Sequence, residues 1–367
     1  MTKQILLLSA YDAPSHRYWR EGISSHLTDF NWQQLHQPAR HFAWRSRGNS
    51  LIWGTGDYPQ LNQDYNLIVA TSMTDISALR GLRPNLATSP LLVYFHENQF
   101  DYPTSDHQRP DVNIPLTSIY SAFCADKIVF NSQYNRATFL SGAAKLLAKL
   151  PDLVPTGIIE HIKTNSSILP VPLFSDNWVN STRTFVNSDW QLPARTTLDI
   201  VWNHRWEYDK NPDEFFAALT TLKQRNIPFK LRVMGQQFRH SPKIFEHAKL
   251  QFAEHIVCWG YQSREQYWQH LTQANVAVSS ALHDFQGLSL QEAIACGCVP
   301  VAANRVAYPE YIPEQLLYKS NQQSAQNLAT KLIELYNNGL APIANTMAAY
   351  QWPSLREKYQ STIESLI

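Results

Sequence analysis

The residues best placed to do chemistry are His283-Asp284-Phe285-Gln286-Gly287, followed directly by Leu288 and Ser289. The apolar run Val276-Ala277-Val278 precedes them. A helical pattern over 288–296 follows, ended by Gly297 in a C-cap position. Val299-Pro300-Val301-Ala302-Ala303 reads as the next buried strand, so the polar residues form the turn of a strand–helix–strand unit in a parallel sheet. At the helix start the N–H groups of Gly287, Leu288 and Ser289 have no intrahelical partner. Together with the helix dipole they make an anion site suited to a diphosphate. Asp284, just before the helix, looks into the same crevice. Glu292 lies eight residues further on, and its carboxylate suits the two neighbouring hydroxyls of a ribose. Donors for phosphates beside acceptors for sugars are what a nucleotide-sugar site requires. The competing structural reading makes Asp284 an N-cap and Glu292 a solvated helix residue.

Three further groups carry chemistry. Arg205 and Lys210 bracket a second strand-to-helix loop, Asn203-His204-Arg205-Trp206-Glu207-Tyr208-Asp209-Lys210-Asn211-Pro212, as a diphosphate clamp would. His96-Glu97-Asn98-Gln99 stand at the end of a buried strand, where open α/β sheets place ligands; His96 is a candidate proton carrier or donor to a sugar hydroxyl. Arg40, His41, Arg45 and Arg47 interleave with Phe42 and Trp44, which offers charge to phosphate and rings to unstacked bases. Locally, an amphipathic strand edge with outward-reaching arginines explains that last cluster as well.

The elements that must position these residues follow from the apolar runs. Strands are expected at 5–8, 67–70, 91–95, 127–130, 198–202, 230–234, 256–259, 276–278, 299–303 and 316–318. Helices are expected at 16–27, 113–125, 133–150, 213–223, 264–273, 288–296, 321–337 and 355–366. The first loop, Asp12-Ala13-Pro14-Ser15-His16, lacks the glycine pair of many nucleotide-sugar enzymes, but His16 is placed to reach a ligand. Residues 174–195 are polar and read as the linker between two domains, 1–180 and 196–350, with the final helix, in 353–367, returning to the first.

The chain has 367 residues, 44% of them apolar, enough for about two domains with large cores. A net charge of +1 excludes binding to nucleic acid by a general basic field and leaves only a local patch. Cys124, Cys258, Cys296 and Cys298 complete no zinc pattern, and a reduced, cytoplasmic protein without disulfides is expected. No apolar run is long enough for a signal or a membrane span. There is no G-x-G-x-x-G or phosphate-binding GK[ST] loop, which argues against dehydrogenase and ATPase chemistry. There is no D-x-D triplet either, so a metal-bound nucleotide of that type is not expected.

Three blocks together carry a family resemblance: Tyr94-Phe95-His96-Glu97-Asn98-Gln99, His204 through Pro212, and residues 283–310, with the cluster 40–47 and Phe130-Asn131-Ser132 in agreement. They resemble the tRNA-queuosine alpha-mannosyltransferases, a branch of the family 4 retaining GT-B glycosyltransferases. The family's paired glutamates, eight residues apart, correspond to Asp284 and Glu292; here the first is aspartate, and Gln286 intervenes before Gly287. The resemblance implies an α/β, GT-B fold of two Rossmann-like domains facing each other across a cleft, with the donor between them. It implies GDP-mannose as donor, queuosine-containing tRNA as acceptor, no metal, no membrane and no obligate protein partner. Arg205 and Lys210 would hold the diphosphate with Gly287, Leu288 and Ser289. Glu292 would hold the ribose, Asp284 the transferred sugar, and His96 would face that sugar. Arg40, Trp44, Arg45, Arg47, Glu97, Asn98 and His16 would serve the acceptor. Two alternatives stay open: the same donor chemistry with a lipid, glycan or small-molecule acceptor, and a glycosyltransferase-like RNA-binding protein without activity.

Overall fold

In the computed structural model, residues 2–101, 112–173, 189–238 and 241–367 are described. They form two compact units: Met1–Pro172 with Trp352–Ile367, and Leu173–Gln351.

The first unit is built on a six-stranded parallel sheet. Its strands are β1 (Gln4–Asp12), β2 (Asn31–Pro38), β3 (Leu67–Thr71), β4 (Leu91–Phe95), β5 (Lys127–Phe130) and β6 (Ser166–Ile168). The spatial order is β2-β1-β3-β4-β5-β6, so the chain reverses direction across the sheet between β1 and β3. Every residue of β3 and β4 is buried, which is why these strands read as unbroken apolar runs. Strand β2, absent from the sequence-based expectation, lies at the edge of the sheet. Its half-buried Trp-Gln-Gln-Leu residues pair with β1 at the sheet edge and carry no apolar run. The helix Trp352–Glu364 belongs to this unit. Tyr359 accepts a hydrogen bond at its hydroxyl from Trp19 Nε1 (2.9 Å) and donates to the Pro170 carbonyl (2.9 Å), while Arg356 Nε donates to the His26 carbonyl (2.9 Å).

In the second unit the strands are β7 (Trp190–Leu192), β8 (Leu198–Trp202), β9 (Phe229–Met234), β10 (Ile256–Gly260), β11 (Val276–Ser279), β12 (Val299–Ala303), β13 (Leu317–Tyr318) and β14 (Leu340–Ile343). Six of them make a parallel sheet in the order β10-β9-β8-β11-β12-β13; β7 pairs antiparallel with β14. Most of the stretch read as linker, up to residue 188, lies outside the described residues. Its end is not linker, because Trp190 and Leu192 are buried in the second unit's core. The strand order reverses between β8 and β11. In open α/β sheets ligands bind in the crevice at the carboxyl ends of the strands flanking such a reversal. The two loops picked out by their chemistry are the ones that leave β8 and β11.

Cys258, Cys296 and Cys298 are buried free thiols and Cys124 is exposed. Among the described residues no helix is long and apolar enough to cross a membrane.

Candidate active site

At the reversal in the second sheet, the loops after β8 and β11 are stitched together by their backbones. Leu282 N–H donates to the Asp209 carbonyl (2.8 Å), and Ser280 Oγ donates to the carbonyls of Lys210 and Asn211 (3.0 Å each). Arg305 braces the base of the second loop by donating to the Ala281 carbonyl (2.9 Å) and the Ser280 carbonyl (2.6 Å). Gly287 starts the helix Leu288–Ala295 in the left-handed region, φ 79°. Its environment demands glycine, since a Cβ there would stand 2.5 Å from the Tyr311 hydroxyl.

Asp284 Oδ1 accepts the N–H of Gly287 (3.1 Å), and Oδ2 accepts the Tyr308 hydroxyl (3.0 Å). Asp284 is therefore a cap of this turn, and the Gly287 N–H expected to meet a phosphate is already taken. Leu288 and Ser289 lie in the first helical turn, where backbone N–H groups have no intrahelical acceptor. Lys210 Nζ donates to the His283 carbonyl (2.6 Å) and stands 3.3 Å from Asp209 and 3.8 Å from Asp284. Lys210 is only 7% exposed. Arg205 is half-exposed and pairs with Glu207 (2.5 Å) and Asp209 (3.5 Å). Burial is the largest single effect and pushes the Asp284 carboxyl up, but Lys210, His204, the Tyr308 hydroxyl and His283 together outweigh it and the group stays below the usual range. His204 and His283 are pushed down to about 4, by burial first and by Lys210 second, and are neutral.

Glu292 stands further along the same helix. Its Oε2 accepts the Tyr267 hydroxyl (2.5 Å), and Asn203 Nδ2 bridges Tyr267 to the Ser289 carbonyl (2.9 and 2.7 Å). Burial lifts the Glu292 carboxyl to about 7, against the opposing pull of the Tyr267 hydrogen bond. The half-buried carboxyl is thus no solvated surface group. Asn203, His204, Asp209, Tyr267 and Tyr308 were not singled out from the sequence. Asn203, His204 and Asp209 sit in the same loop as the clamp, but Tyr267 and Tyr308 gain meaning only when distant strands pair.

The first unit gathers a different set. His16, in the helix Pro14–His26, stacks on His96 at the end of β4, with ring centroids 4.2 Å apart and planes 23° apart. Trp19 meets His96 edge-on at 4.9 Å. Both histidines are buried, and burial lowers both; at His96 the neighbouring His16 adds to the effect, while at His16 Glu97 and Asp12 oppose it. Neither His96 Nε2 nor His16 Nδ1 has a hydrogen-bond partner among the described residues. Asp12 is buried under a bidentate bond from Arg20 (3.1 and 2.9 Å). Glu97 is half-buried beside this pair. Asn98 does not offer its side chain to a ligand. Its amide donates to the Asn135 carbonyl, Asn135 Oδ1 and Thr138 Oγ1 (3.1, 2.8 and 2.9 Å) and accepts from Phe100 N–H (2.9 Å), so it holds the loop together.

The basic-aromatic cluster is the start of the helix Phe42–Thr55, not a strand edge. His41 precedes that helix in the left-handed region, φ 54°. Arg40, His41 and Arg47 are exposed, Trp44 is 50% exposed and Phe42 37%. Phe42 packs edge-on against Tyr11, just before the end of β1, at 5.5 Å. Arg45 is tied to Gln37 (3.0 Å), and Arg47 to Thr117 and, at 3.9 Å, Asp75. Among the described residues no group of three or more His, Cys, Asp or Glu is arranged to hold a metal.

Comparison with known proteins matches each unit. Residues 4–173 match the tRNA-queuosine alpha-mannosyltransferase N-terminal model, and residues 189–351 match that of the glycosyl transferases group 1. The chain is 30% identical over 336 residues to the tRNA-queuosine alpha-mannosyltransferase of Drosophila melanogaster, covering 91% of this chain and 86% of that protein. Among solved structures, sucrose-phosphate synthase from Thermosynechococcus elongatus superposes with a TM-score of 0.69 at 14% identity, covering 99% of both chains. A glycosyltransferase from Rickettsia africae gives 0.66 at 14% identity, covering 100% of this chain and 98% of that one. The fold is that of the α/β GT-B glycosyltransferases. With two parallel sheets of this topology, polar loops at the second sheet's reversal and 30% identity to the Drosophila protein over 91% of this chain, the chain belongs to the tRNA-queuosine alpha-mannosyltransferase family of glycosyltransferases.

Proposed function

We propose that the protein transfers mannose from GDP-mannose to the cyclopentenediol of queuosine in tRNA, with retention at the anomeric carbon, in the cytoplasm and without a metal ion. The observation that carries the donor half is the convergence of Lys210, Asp284 and the start of the helix Leu288–Ala295 on one sheet reversal. The acceptor half is supported by the Drosophila relative's name and by the first-unit match.

In this reading Arg205 and Lys210, with the N–H groups of Leu288 and Ser289, hold the diphosphate and offset its charge as it leaves. Glu292 accepts the ribose hydroxyls. Asp284, its carboxylate kept ionised beside Lys210, shapes the turn and accepts from the transferred sugar. His96, neutral and with no partner for Nε2 among the described residues, is a ligand for a sugar hydroxyl. In the front-face reaction the bond from the anomeric carbon to the diphosphate oxygen breaks, and the bond to the queuosine hydroxyl oxygen forms on the same face. The hydroxyl proton passes to the departing phosphate oxygen, so positioning and charge stabilisation do most of the work. Arg40, Trp44 and Arg47, with Arg45 behind them, are the acceptor surface for tRNA.

The test is incubation with queuosine-containing tRNA and, in parallel, several nucleotide-sugars, followed by weighing the modified nucleoside. A gain of one hexose with GDP-mannose alone is expected. Turnover of the sugar with unmodified tRNA, and transfer to lipid or glycan instead, would overturn the acceptor assignment.

A further inference from the structure

We propose that His204 is an additional ligand of the donor diphosphate, donating from Nε2 to a phosphate oxygen, and that its imidazole takes one proton from solvent as the nucleotide binds. This rests on the donor reading above.

The ring is fixed in place. His204 is 3% exposed, its Nδ1 lies 3.2 Å from Ser289 Oγ in the first turn of the helix Leu288–Ala295, and its ring makes a T-shaped contact with Trp202, centroids 5.0 Å apart. Its backbone is clamped too, for a Cβ at Gly235 (φ 154°) would stand 1.8 Å from the His204 carbonyl oxygen. Nε2 is nonetheless buried without a hydrogen-bond partner among the described residues. A buried polar atom held this rigidly beside an anion site and left unpaired costs stability unless a ligand completes it.

The charges around it explain the proton. His204 faces Lys210, Arg205 and Asp209 of its own loop and Asp284 of the neighbouring one, while the helix Leu288–Ala295 presents the Ser289 hydroxyl to it. Arg205 and Lys210 are already shared among the carboxylates of Glu207, Asp209 and Asp284. A nucleotide-sugar diphosphate is a dianion, so its arrival leaves negative charge in excess. Excess negative charge favours imidazolium, reversing the effect of Lys210 in the free protein. The cation then donates from both nitrogens, Nδ1 to Ser289 Oγ and Nε2 to phosphate. His283 has the same charged neighbours and serves as the control. Glu292 titrates in the same range and releases a proton if it ionises on binding ribose, so the decisive quantity is a difference between variants.

The experiment is calorimetric titration of GDP and of inorganic pyrophosphate into the wild-type protein, H204F, H204Q and H283Q. It is run at about pH 6.5 in two buffers of different ionisation enthalpy, beside thermal melts of each variant. H204F is expected to weaken both ligands about tenfold or more, H204Q to recover part of the loss through its amide donor. Proton uptake should be greater in wild type and H283Q than in H204Q. GDP binding by a folded H204F or H204Q at wild-type affinity would overturn the contact, and equal proton uptake in wild type and H204Q would overturn the coupling. Wild-type protein that binds neither GDP nor pyrophosphate would bring down the donor reading along with this inference, whereas binding indifferent to residue 204 sinks the inference alone.

Discussion

Lys210 and Arg205 carry the same charge in different settings, and substitution separates them. Arg205 is half-exposed, so Arg205→Ala should weaken GDP binding by about 1.5–3 kcal/mol and leave thermal stability nearly unchanged. Lys210 is buried between Asp209 and Asp284, and Lys210→Ala takes their shared buried cation from both carboxylates. It should cost a similar amount in GDP affinity and, in addition, about 1–3 kcal/mol of stability. Paired GDP titrations and urea melts check both, and unchanged affinity in both variants would mean the clamp is elsewhere. Glu292 gives a pH signature. If its carboxylate accepts the ribose hydroxyls, GDP affinity rises with pH through about 7, and Glu292→Gln abolishes that dependence while lowering affinity. Buried neutral histidines act on stability instead. His204 and His283 fall to about 4 when folded, so the unfolded chain binds protons more readily between pH 6.5 and 4. Their contribution is full above pH 6.5 and is lost as pH falls through that window, while Glu292, raised when folded, works in the opposite sense. A His283→Gln variant should therefore lose less stability than wild type between pH 7 and 5, by about 1–2 kcal/mol in urea denaturation.

Among the elements, the buried strands were legible to the residue: β4, β5, β8 and β12 coincide with the apolar runs that announced them. Buried parallel strands allow little else. Strand β2 and the helix Phe42–Thr55 were not legible, for one reason. Apart from Leu35 of β2, both face the core largely with small or polar groups. The helix buries Ser46, Gly48, Asn49 and Ser50 alongside Trp53, and the Asn49 amide bonds to the carbonyls of Arg45 and Met73 (2.7 and 3.2 Å). Such a face has no apolar stripe to read. In the candidate site the sequence marked the turn and its charged residues; it passed over Tyr267 and gave Tyr308 and His204 no role of their own, since their contacts join segments far apart in the chain. It also could not show that Asp284 consumes the N–H of Gly287. That turn has its own prediction. Gly287→Ala puts a Cβ 2.5 Å from the Tyr311 hydroxyl at φ 79°, and should lower stability by about 1–3 kcal/mol and GDP affinity with it. A variant that melts and binds like wild type would show that the elbow tolerates a side chain.

For the molecule as a whole, a net charge of +1 leaves tRNA affinity to a local patch. The exposed Trp44 and Arg40 are the cleanest probes, because Arg45 and Arg47 are also tied to the fold. Trp44→Ala should lower tRNA affinity by about 1–3 kcal/mol through lost stacking. Arg40→Ala should flatten the salt dependence of tRNA binding by about one phosphate contact, with GDP binding unchanged in both. Binding measured across a salt series decides; unaltered tRNA affinity in folded variants would make the cluster structural. Turnover should also persist in excess EDTA, since Arg205, Lys210 and the helix start supply the phosphate neutralisation proposed here. Loss of activity in EDTA, restored by magnesium or manganese, would contradict this.

The return of the helix Trp352–Glu364 to the first unit has a consequence for how the protein is made. Trp19, Tyr94 and the Pro170 carbonyl all wait for Tyr359, and Gly22 and His26 for Trp352, which approaches Gly22 so closely that a Cβ there would stand 3.0 Å from its ring. On the ribosome those partners emerge only after every residue of the second unit has been translated. The second unit, contiguous in sequence, is free to fold while synthesis continues. The first must hold an uncovered flank through that interval, so the unit that begins the chain is the last to be completed.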